Sequence, residues 1–302
     1  NDIAINNHFV YGELENYVSF VTEKFKRFNP VYFVSGDTDF STAKTISYYE
    51  KVLQVAKRHD PDALYSFHIK GRLAEIPEQF LSGIDFFSYQ SGHNLTGQKT
   101  AYTIPLELRK KGFTRPIINT EPCYEQISYS RNIYGRYSAR DVRQASWSSV
   151  LSGAGAGITY GAHGIWSWHR SGYKFGIVEG EGFDIPFDWR DALHFDGAND
   201  ITYLKTIISS LFTNGIDPVD ISLKGEMSIR VGVDIKKKRY IIYLPTNTVI
   251  DVAKLGLKKE NSHAQVFYLD EKTVHPLEYS DKTILRMSHA EADSVIVLDK
   301  EE

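Results

Sequence analysis

The sequence predicts an α/β fold, a (β/α)8 TIM barrel of which this chain carries strands four to eight, followed by a small antiparallel β-sandwich. Short apolar runs typical of strands alternate with amphipathic helical segments through the first 160 residues. This alternation indicates a parallel sheet with helical crossovers. From residue 218 onward, short β-type runs separated by turn residues replace the helices, which favours a second, all-β unit.

The helices are predicted from apolar residues at helical spacing and from the breakers that follow them. They lie at 13–28, 42–58, 76–82, 102–111, 138–151 and 200–212. Pro30 forbids continuation of the first, and Ser138 with Asp141 forms a capping-box pattern at the start of the fifth. The strand-like runs between them lie at 31–35, 63–68, 84–90, 116–120 and 155–161.

Counting strands backwards sets the register of the predicted barrel. If GAGITYG is strand eight, IINTE is strand seven and VYFVS is strand four. Asp37 then closes strand four and Glu121 closes strand seven, so both carboxylates emerge at the mouth where barrel enzymes place their chemistry. Only one helix precedes strand four, so closing the barrel requires strands one to three from an N-terminal segment or a partner chain.

The two predicted domains comprise residues 1–214, the C-terminal part of the barrel, and residues 218–302, the sandwich. Asn214-Gly215 and Pro218 mark the turn between them. The β-type runs of the second domain are SIRVGVDI, RYIIYLP, AQVFYLD and SVIVLD. No pair of acids or group of histidines converges in this part, so we interpret it as non-catalytic.

Composition excludes several classes of protein. A net charge of -3 over 302 residues argues against nucleic acid as a partner, and no apolar run approaches the roughly 20 residues of a membrane span. The single cysteine, Cys123, excludes a disulfide framework or a cysteine-rich metal site. Aromatic residues make up 13% of the chain, which fits either a large β-rich core or rings that stack on sugars. The chain starts with Asn and is expected to be cut from a longer, periplasmic, secreted or cell-surface polypeptide.

The two carboxylates at the predicted mouth are the strongest candidates for catalysis, because most glycosidases need only a pair of facing carboxyl groups as catalytic residues. Asp37 lies in the polar string SGDTD, where it could instead cap the next helix, although Asp39 has the stronger claim to that role. Glu121 follows an apolar strand, and its structural alternative is an ion pair with one of the arginines at 136, 140 and 143.

Further polar and aromatic residues fall near the ends of strands five to eight, on the same predicted rim. The candidates for substrate binding are His68, Tyr89, Gln90, His93, Tyr124, Tyr160, His163, Trp166 and Trp168. The histidines at 68, 93, 163 and 169 lack the tight spacing of a metal motif such as HExxH, and no GxSxG elbow occurs. The sequence therefore predicts neither a metal nor a cofactor.

The strings PIINTEPCYE and RQASWSSVLSGAGAGITYGAHGIWSW resemble the apiosidase-like family of bacterial glycoside hydrolases, family 140 and its relatives. DALHFDGANDITYLKTIISSL is similar to that family's closing helix, and the C-terminal part is similar to a β-sandwich named for collagen binding that is often appended to it. The likeness runs from about residue 10 to the end and is strongest over 116–211. The Trp- and Phe-rich first strand of the family is absent.

The resemblance implies a retaining layout with Asp37 as acid/base on strand four and Glu121 as nucleophile on strand seven. The expected function is hydrolysis of plant-type glycosides, and Asp37 must then hold a proton near neutral pH. Among the rim residues, we expect Trp166, Trp168 and Tyr124 to stack on the sugar and histidines 68, 93 and 163 to hydrogen-bond its hydroxyls. Two alternatives stay open: a carbohydrate-binding barrel without turnover, and an adhesive sandwich carried by the barrel.

Overall fold

A computed structural model describes residues 10–130, 133–175, 183–223, 228–236, 238–289 and 292–301. Its first part alternates strands and helices, as predicted. The elements up to the fourth strand are α1 Leu14–Phe25, β1 Val31–Phe33, α2 Ala43–His59, β2 Leu64–Ser66, α3 Glu78–Leu81, β3 Phe87–Tyr89, α4 Thr100–Lys110 and β4 Ile117–Asn119. Then follow β5 Ser128–Ser130, β6 Ile133–Arg136, α5 Ala139–Leu151, β7 Gly157–Ile158, α6 Trp189–Ala192 and α7 Gly197–Leu211.

The five parallel strands lie side by side in the order β1-β2-β3-β4-β7. β1 pairs with β2, and β4 pairs with both β3 and β7, all in parallel. The N–H of Asp85 donates to the carbonyl of Tyr65 at 2.8 Å, which joins β2 to the segment entering β3. Chain order and spatial order therefore agree, as they do in a (β/α) barrel.

The predicted helix boundaries hold to within a few residues, and the caps explain them. The Oγ1 of Thr42 accepts from the N–H of Thr45 at 3.0 Å and starts α2, so neither Asp37 nor Asp39 is its cap. Ser138 and Asp141 form the expected capping box at the start of α5. The β5–β6 hairpin and the short helix α6 were not predicted from the sequence, because they lack a clear hydrophobic period.

An aromatic core anchors the turn that carries Asp37. Phe40 has a left-handed backbone (φ 53°), and its buried ring contacts Phe67 and Phe80 at centroid distances of 5.3 and 5.4 Å. On the other side of the turn, the N–H of Lys70 donates to the carbonyl of Thr38 at 2.9 Å. The turn after β1 is thus fixed to the core at one end and to the extension of β2 at the other.

The C-terminal part is antiparallel. Its strands are β8 Ile216–Val219, β9 Arg230–Asp234, β10 Arg239–Leu244, β11 Val249–Asp251, β12 Ser262–Tyr268, β13 Thr273–Leu277, β14 Ile284–Arg286 and β15 Ser294–Lys300. Six of them form one sheet in the order β13-β12-β15-β10-β9-β8, and β11 pairs with β14. One face of the large sheet packs against the β11–β14 pair, and the other packs against α5 and α7.

A buried ion-pair network joins this sheet to the helices of the barrel. The guanidinium of Arg143, on α5, contacts Asp293 and Asp200 at 2.8 Å each, and both carboxylates are 1% exposed. Lys272 reaches Asp200 at 2.7 Å from the antiparallel side. Arg143 therefore pairs with residues of this junction and not with Glu121.

Over the described ranges, no helix combines the length and apolar character of a membrane span.

Candidate active site

Asp37 occupies the turn directly after β1. Its backbone is left-handed (φ 48°), a conformation that Asp tolerates better than most residues. Its side chain is 57% exposed, and Oδ1 accepts a hydrogen bond from Nε2 of Gln90 at 2.5 Å. Gln90 follows β3 and is almost fully buried, and its second N–H donates to the carbonyl of Ile69 at 2.5 Å. Gln90 therefore holds an exposed carboxylate in one position.

Glu121 lies two residues beyond β4 and is less exposed, at 19% of its side chain. Its carbonyl accepts from the N–H of Gly92 at 2.9 Å, and its own N–H donates to Oδ1 of Asn119 at 3.4 Å. Asn119 in turn donates to the hydroxyls of Ser91 and Ser149, at 3.0 Å each. This buried network fixes the backbone from which the Glu121 carboxylate projects.

His68, two residues beyond β2, lies between the two carboxylates. Its Nε2 is 3.1 Å from Oε2 of Glu121 and 3.4 Å from Oδ1 of Asp37. The nearest carboxylate oxygens of Asp37 and Glu121 lie within 4.8 Å of each other. Three different strands thus bring one imidazole and two carboxylates together at the carboxyl ends of the parallel sheet.

A second histidine supports Glu121 from the other side. Nδ1 of His93 accepts from the N–H of Tyr124 at 3.3 Å, which leaves the proton on Nε2. That Nε2 donates to Oε1 of Glu121 at 2.9 Å. The Tyr124 ring lies 4.3 Å from the His93 ring, and its hydroxyl also hydrogen-bonds Glu121. Burial raises the pKa of Tyr124 and the nearby Glu121 adds to the rise, so the phenol stays neutral.

The electrostatics of the cluster differ from the sequence-based expectation. The hydrogen bond with His68 outweighs burial and lowers the pKa of Asp37 to about 2. Burial alone would raise the pKa of Glu121, but its hydrogen bonds with His68 and His93 lower it to about 2. Burial alone would lower the pKa of His68, but its two carboxylate partners raise it to about 9. At neutral pH the proton therefore resides on His68, whereas Asp37 was expected to hold it.

Four of the predicted substrate-binding residues, His68, Gln90, His93 and Tyr124, are part of this cluster. Tyr89 is fully buried and its hydroxyl donates to the carbonyl of Ala101 at 2.7 Å, so it does not reach the mouth. Tyr160 is directed at the buried carboxylate of Glu125, to which it donates at 2.7 Å. The pKa of Glu125 is raised by burial.

The aromatic residues after β7 form a separate group. His163 is fully buried and stacks against Trp166 at 6.1 Å, and burial together with the neighbouring Arg136 lowers its pKa to about 4. Trp168 is 59% exposed and stacks on Trp189 at 4.6 Å. Trp166 and Trp168 therefore present indole surface to solvent, whereas His163 does not.

Three contributors to the site were missed from the sequence. Asn119 carries the backbone network under Glu121, and an Asn inside an apolar strand was the available signal. Phe183 contacts both His93 and His163 edge-on, at 5.9 and 6.4 Å, and Trp189 lies under Trp168. No local pattern marks these two, because their contacts join residues that are far apart in the sequence.

A cavity of about 680 Å³ opens beside the cluster, along the inner face of the parallel strands. It is mainly apolar, and His68 and Thr120 are among the residues that line it. Its other walls include Val31, Phe33, Leu64, Phe86 and Ile118. Val31, Phe33 and Leu64 are 49%, 43% and 50% exposed, so the interior of the parallel layer is open to solvent on this side.

In the described part of the chain, Asp37, His68 and Glu121 form a group whose ligand-type atoms lie close enough to hold a metal ion. The same spacing is accounted for by the hydrogen bonds of a protonated imidazole, because 3.1 to 3.4 Å separates its Nε2 from the two oxygens. Hydrogen bonding through His68 therefore accounts for the spacing of these three side chains.

Solved glycoside hydrolases share the fold of this chain. A solved structure described as a glycoside hydrolase matches with a TM-score of 0.81 at 20% identity, covering 96% of this chain and 69% of that one. A family 5 glycoside hydrolase from Bacteroides vulgatus also gives 0.81 at 20% identity, covering 97% and 68%. A family 30 endoxylanase from Clostridium papyrosolvens gives 0.52 at 8% identity, covering 97% and 72%.

Residues 3–214 match the family model described as "Apiosidase-like, catalytic domain". The chain therefore belongs to the apiosidase-like family and is a glycoside hydrolase. A search of curated proteins gave no match. The solved structures share the fold at low identity and assign neither a sugar nor a role to any residue of this chain.

Proposed function

We propose that this protein hydrolyses glycosidic bonds of plant-type oligosaccharides or polysaccharides by a retaining double displacement. Glu121 attacks the anomeric carbon, and Asp37 first protonates the leaving oxygen and then activates water. The observation that carries the proposal is the separation of the two carboxylates, whose nearest oxygens lie within 4.8 Å. Retaining enzymes keep their carboxyl groups about 5–5.5 Å apart, whereas inverting enzymes need about 6.5–9.5 Å to admit a water.

The surroundings of each carboxylate support these two roles. Glu121 is held by two histidines and a buried backbone network, so it is ionised and fixed, as a nucleophile needs to be. Asp37 is exposed, so it can reach both a leaving group and a water. The exposed indoles of Trp166 and Trp168 offer flat surfaces for a sugar ring.

Apiosides are the first substrates to test, because the matching family is named for an apiosidase. Other pectic and hemicellulosic glycosides belong in the same panel. Since such polymers lie outside cells, we propose a periplasmic, secreted or cell-surface location. We further infer that additional parallel strands, from the same polypeptide or a partner, cover the open cavity, because a parallel layer is normally buried on both faces.

A non-catalytic carbohydrate-binding barrel is the second candidate. One observation favours it: both carboxylates are ionised in this structure, so neither has a proton to donate. A binding protein would retain sugar affinity and show no turnover.

The test is product release from a panel of pectic and hemicellulosic oligosaccharides by the parent and by Glu121→Gln. Release by the parent and its loss in the variant support the glycosidase. Sugar binding by both without release would support the binding protein instead. The anomeric configuration of the first product, followed by NMR, separates retention from inversion.

A further inference from the structure

His68 is the group that both carboxylates share. A single nitrogen, Nε2, lies 3.1 Å from Glu121 and 3.4 Å from Asp37. His93 is different, because its Nε2 hydrogen-bonds Glu121 and its Nδ1 accepts from the backbone of Tyr124. Of the two histidines, only His68 therefore connects the proposed nucleophile to the proposed acid.

The hydrogen-bond donors around His68 decide where its proton points. Gln90 has two N–H groups, and they are taken by Asp37 and by the carbonyl of Ile69 at 2.5 Å each. Gln90 therefore has no N–H left for His68, although their nitrogens are 2.9 Å apart. The N–H on Nε2 of His68 is left to the carboxylates, with Glu121 the nearer and Asp37 the alternative.

We propose that His68 is a positioning residue that stores the catalytic proton, passing it to Asp37 as Glu121 loses its charge and recovering it after hydrolysis. This inference rests on the proposed function. The groups that face His68 are Asp37 from the turn after β1, Glu121 from the end of β4, Gln90 from the end of β3 and the Phe33 ring from β1.

The proton and charge balance close over one cycle. At the start, two carboxylates and one imidazolium give the cluster a charge of minus one. As Glu121 bonds to the anomeric carbon, its charge is lost to the ester. His68 passes its proton to Asp37, and Asp37 gives it to the leaving oxygen as the bond from that oxygen to the anomeric carbon breaks. The cluster then holds an ester, an ionised Asp37 and a neutral His68, again minus one.

Hydrolysis reverses the transfer. Asp37 takes a proton from water while the water oxygen bonds to the anomeric carbon and releases Glu121 as a carboxylate. With both carboxylates charged again, His68 recovers the proton from Asp37. The pKa of His68 agrees with this sequence, because it is raised to about 9 by two carboxylates, one of which is neutral in the intermediate.

The first experiment measures His68 directly by NMR titration of isotope-labelled histidines in EDTA-treated protein. Glu121→Gln mimics the uncharged ester, and His68→Gln assigns the signal. We expect the pKa of His68 to fall by one unit or more from the parent to Glu121→Gln, with a smaller change in Glu125→Gln, whose buried side chain contacts Tyr160 instead. An unchanged pKa of His68 in Glu121→Gln would overturn the proposal.

The second experiment compares pH profiles of kcat/KM for the methyl and 4-nitrophenyl glycosides of the sugar that the parent releases. In His68→Gln, hydrolysis of the methyl glycoside should fall about 10²-fold, and its alkaline limb should shift to lower pH. The leaving group of the nitrophenyl glycoside needs no proton. For this substrate, the rate at which the intermediate forms should therefore stay within a few fold of the rate in the parent. His93→Gln should lower kcat/KM equally for both substrates and leave the alkaline limb of the pH profile at the same pH.

The outcomes separate the two claims. If Asp37→Asn and Glu121→Gln keep full activity, the proposed function fails, and with it the role of His68. Suppose instead that Asp37→Asn and Glu121→Gln lose activity, but His68→Gln leaves the alkaline limb at the same pH and lowers kcat/KM equally for the two glycosides. Only the inference about His68 is then wrong.

Discussion

Glu121 and Asp37 end strands of the same parallel layer, yet their surroundings differ sharply. Glu121 is 19% exposed and held by two imidazoles, whereas Asp37 is 57% exposed and projects from a left-handed turn. A nucleophile benefits from fixed geometry, and an acid/base has to exchange protons with leaving group and water. The contrast teaches that burial and hydrogen bonding can give two carboxylates at one mouth different surroundings, and these surroundings match the two roles proposed here.

The largest effect is expected for Glu121→Gln, which keeps the shape of the side chain but removes the nucleophilic charge. Hydrolysis should fall by about 10⁴-fold or more, because the covalent step is lost. The measurement is the initial rate of sugar release. Glu125→Gln is the matched control, since Gln can still accept the hydrogen bonds of Tyr160 and of the Gly197 N–H. Equal losses in both variants would contradict the assignment.

Asp37→Asn should have a smaller effect, and one that depends on the leaving group. With a sugar leaving group the rate should fall by about 10²–10³-fold, the usual contribution of a general acid. With a nitrophenyl leaving group, formation of the intermediate should be nearly unchanged and its hydrolysis slow, giving a burst of nitrophenol. The same loss for both leaving groups would assign Asp37 a structural role.

Gln90 hydrogen-bonds Asp37 and not Glu121, and His93 hydrogen-bonds Glu121 and not Asp37, so the two carboxylates can be tested separately. Gln90→Leu removes a hydrogen bond to Asp37, and His93→Phe removes one to Glu121. Each should raise the activation free energy by about 1.5–3 kcal/mol, the range for a hydrogen bond to a charged group. We expect a leaving-group dependence for Gln90→Leu only. The same dependence on the leaving group in His93→Phe would contradict the assignment of separate roles to Asp37 and Glu121.

The smallest effect concerns stability. The lowered pKa of Glu121 means that its contribution is present above its ordinary value of 4.5 and is lost as pH falls towards about 2. The raised pKa of His68 means that its contribution is complete below 6.5 and is lost as pH rises through about 9. Urea unfolding should therefore show the parent losing more free energy of unfolding between pH 6.5 and 9 than His68→Gln. Parallel curves would argue against the shared proton.

Most of the fold followed from the sequence because its signals are local. Helical periodicity, the Ser138 capping box and breakers such as Pro30 marked the helices, and counting strands placed Asp37 and Glu121 at one mouth. The antiparallel part was recognised from its alternating runs, but β8, β11, β13 and β14 were not, because they are short or interrupted by polar residues. The complete eight-stranded barrel and the sandwich arrangement stay predictions.

The site was predictable as a set of residues and not as an electrostatic arrangement. Strand ends indicated where Asp37, His68 and Glu121 would lie. The sequence could not show that one imidazole nitrogen would lie between the two carboxylates, because that depends on side-chain orientation from three separate strands. Tyr89 illustrates the same limit, since a strand-end position did not reveal that its ring is directed into the core.

The most direct test of the central claim is to trap the sugar on Glu121. Asp37→Ala incubated with a 4-nitrophenyl glycoside of the responsive sugar should accumulate an intermediate, because nothing activates the water that releases it. Mass spectrometry should find one added glycosyl group on the peptide containing Glu121, and azide should release it as a glycosyl azide of retained configuration. Turnover without any adduct, or an adduct on another residue, would contradict the account.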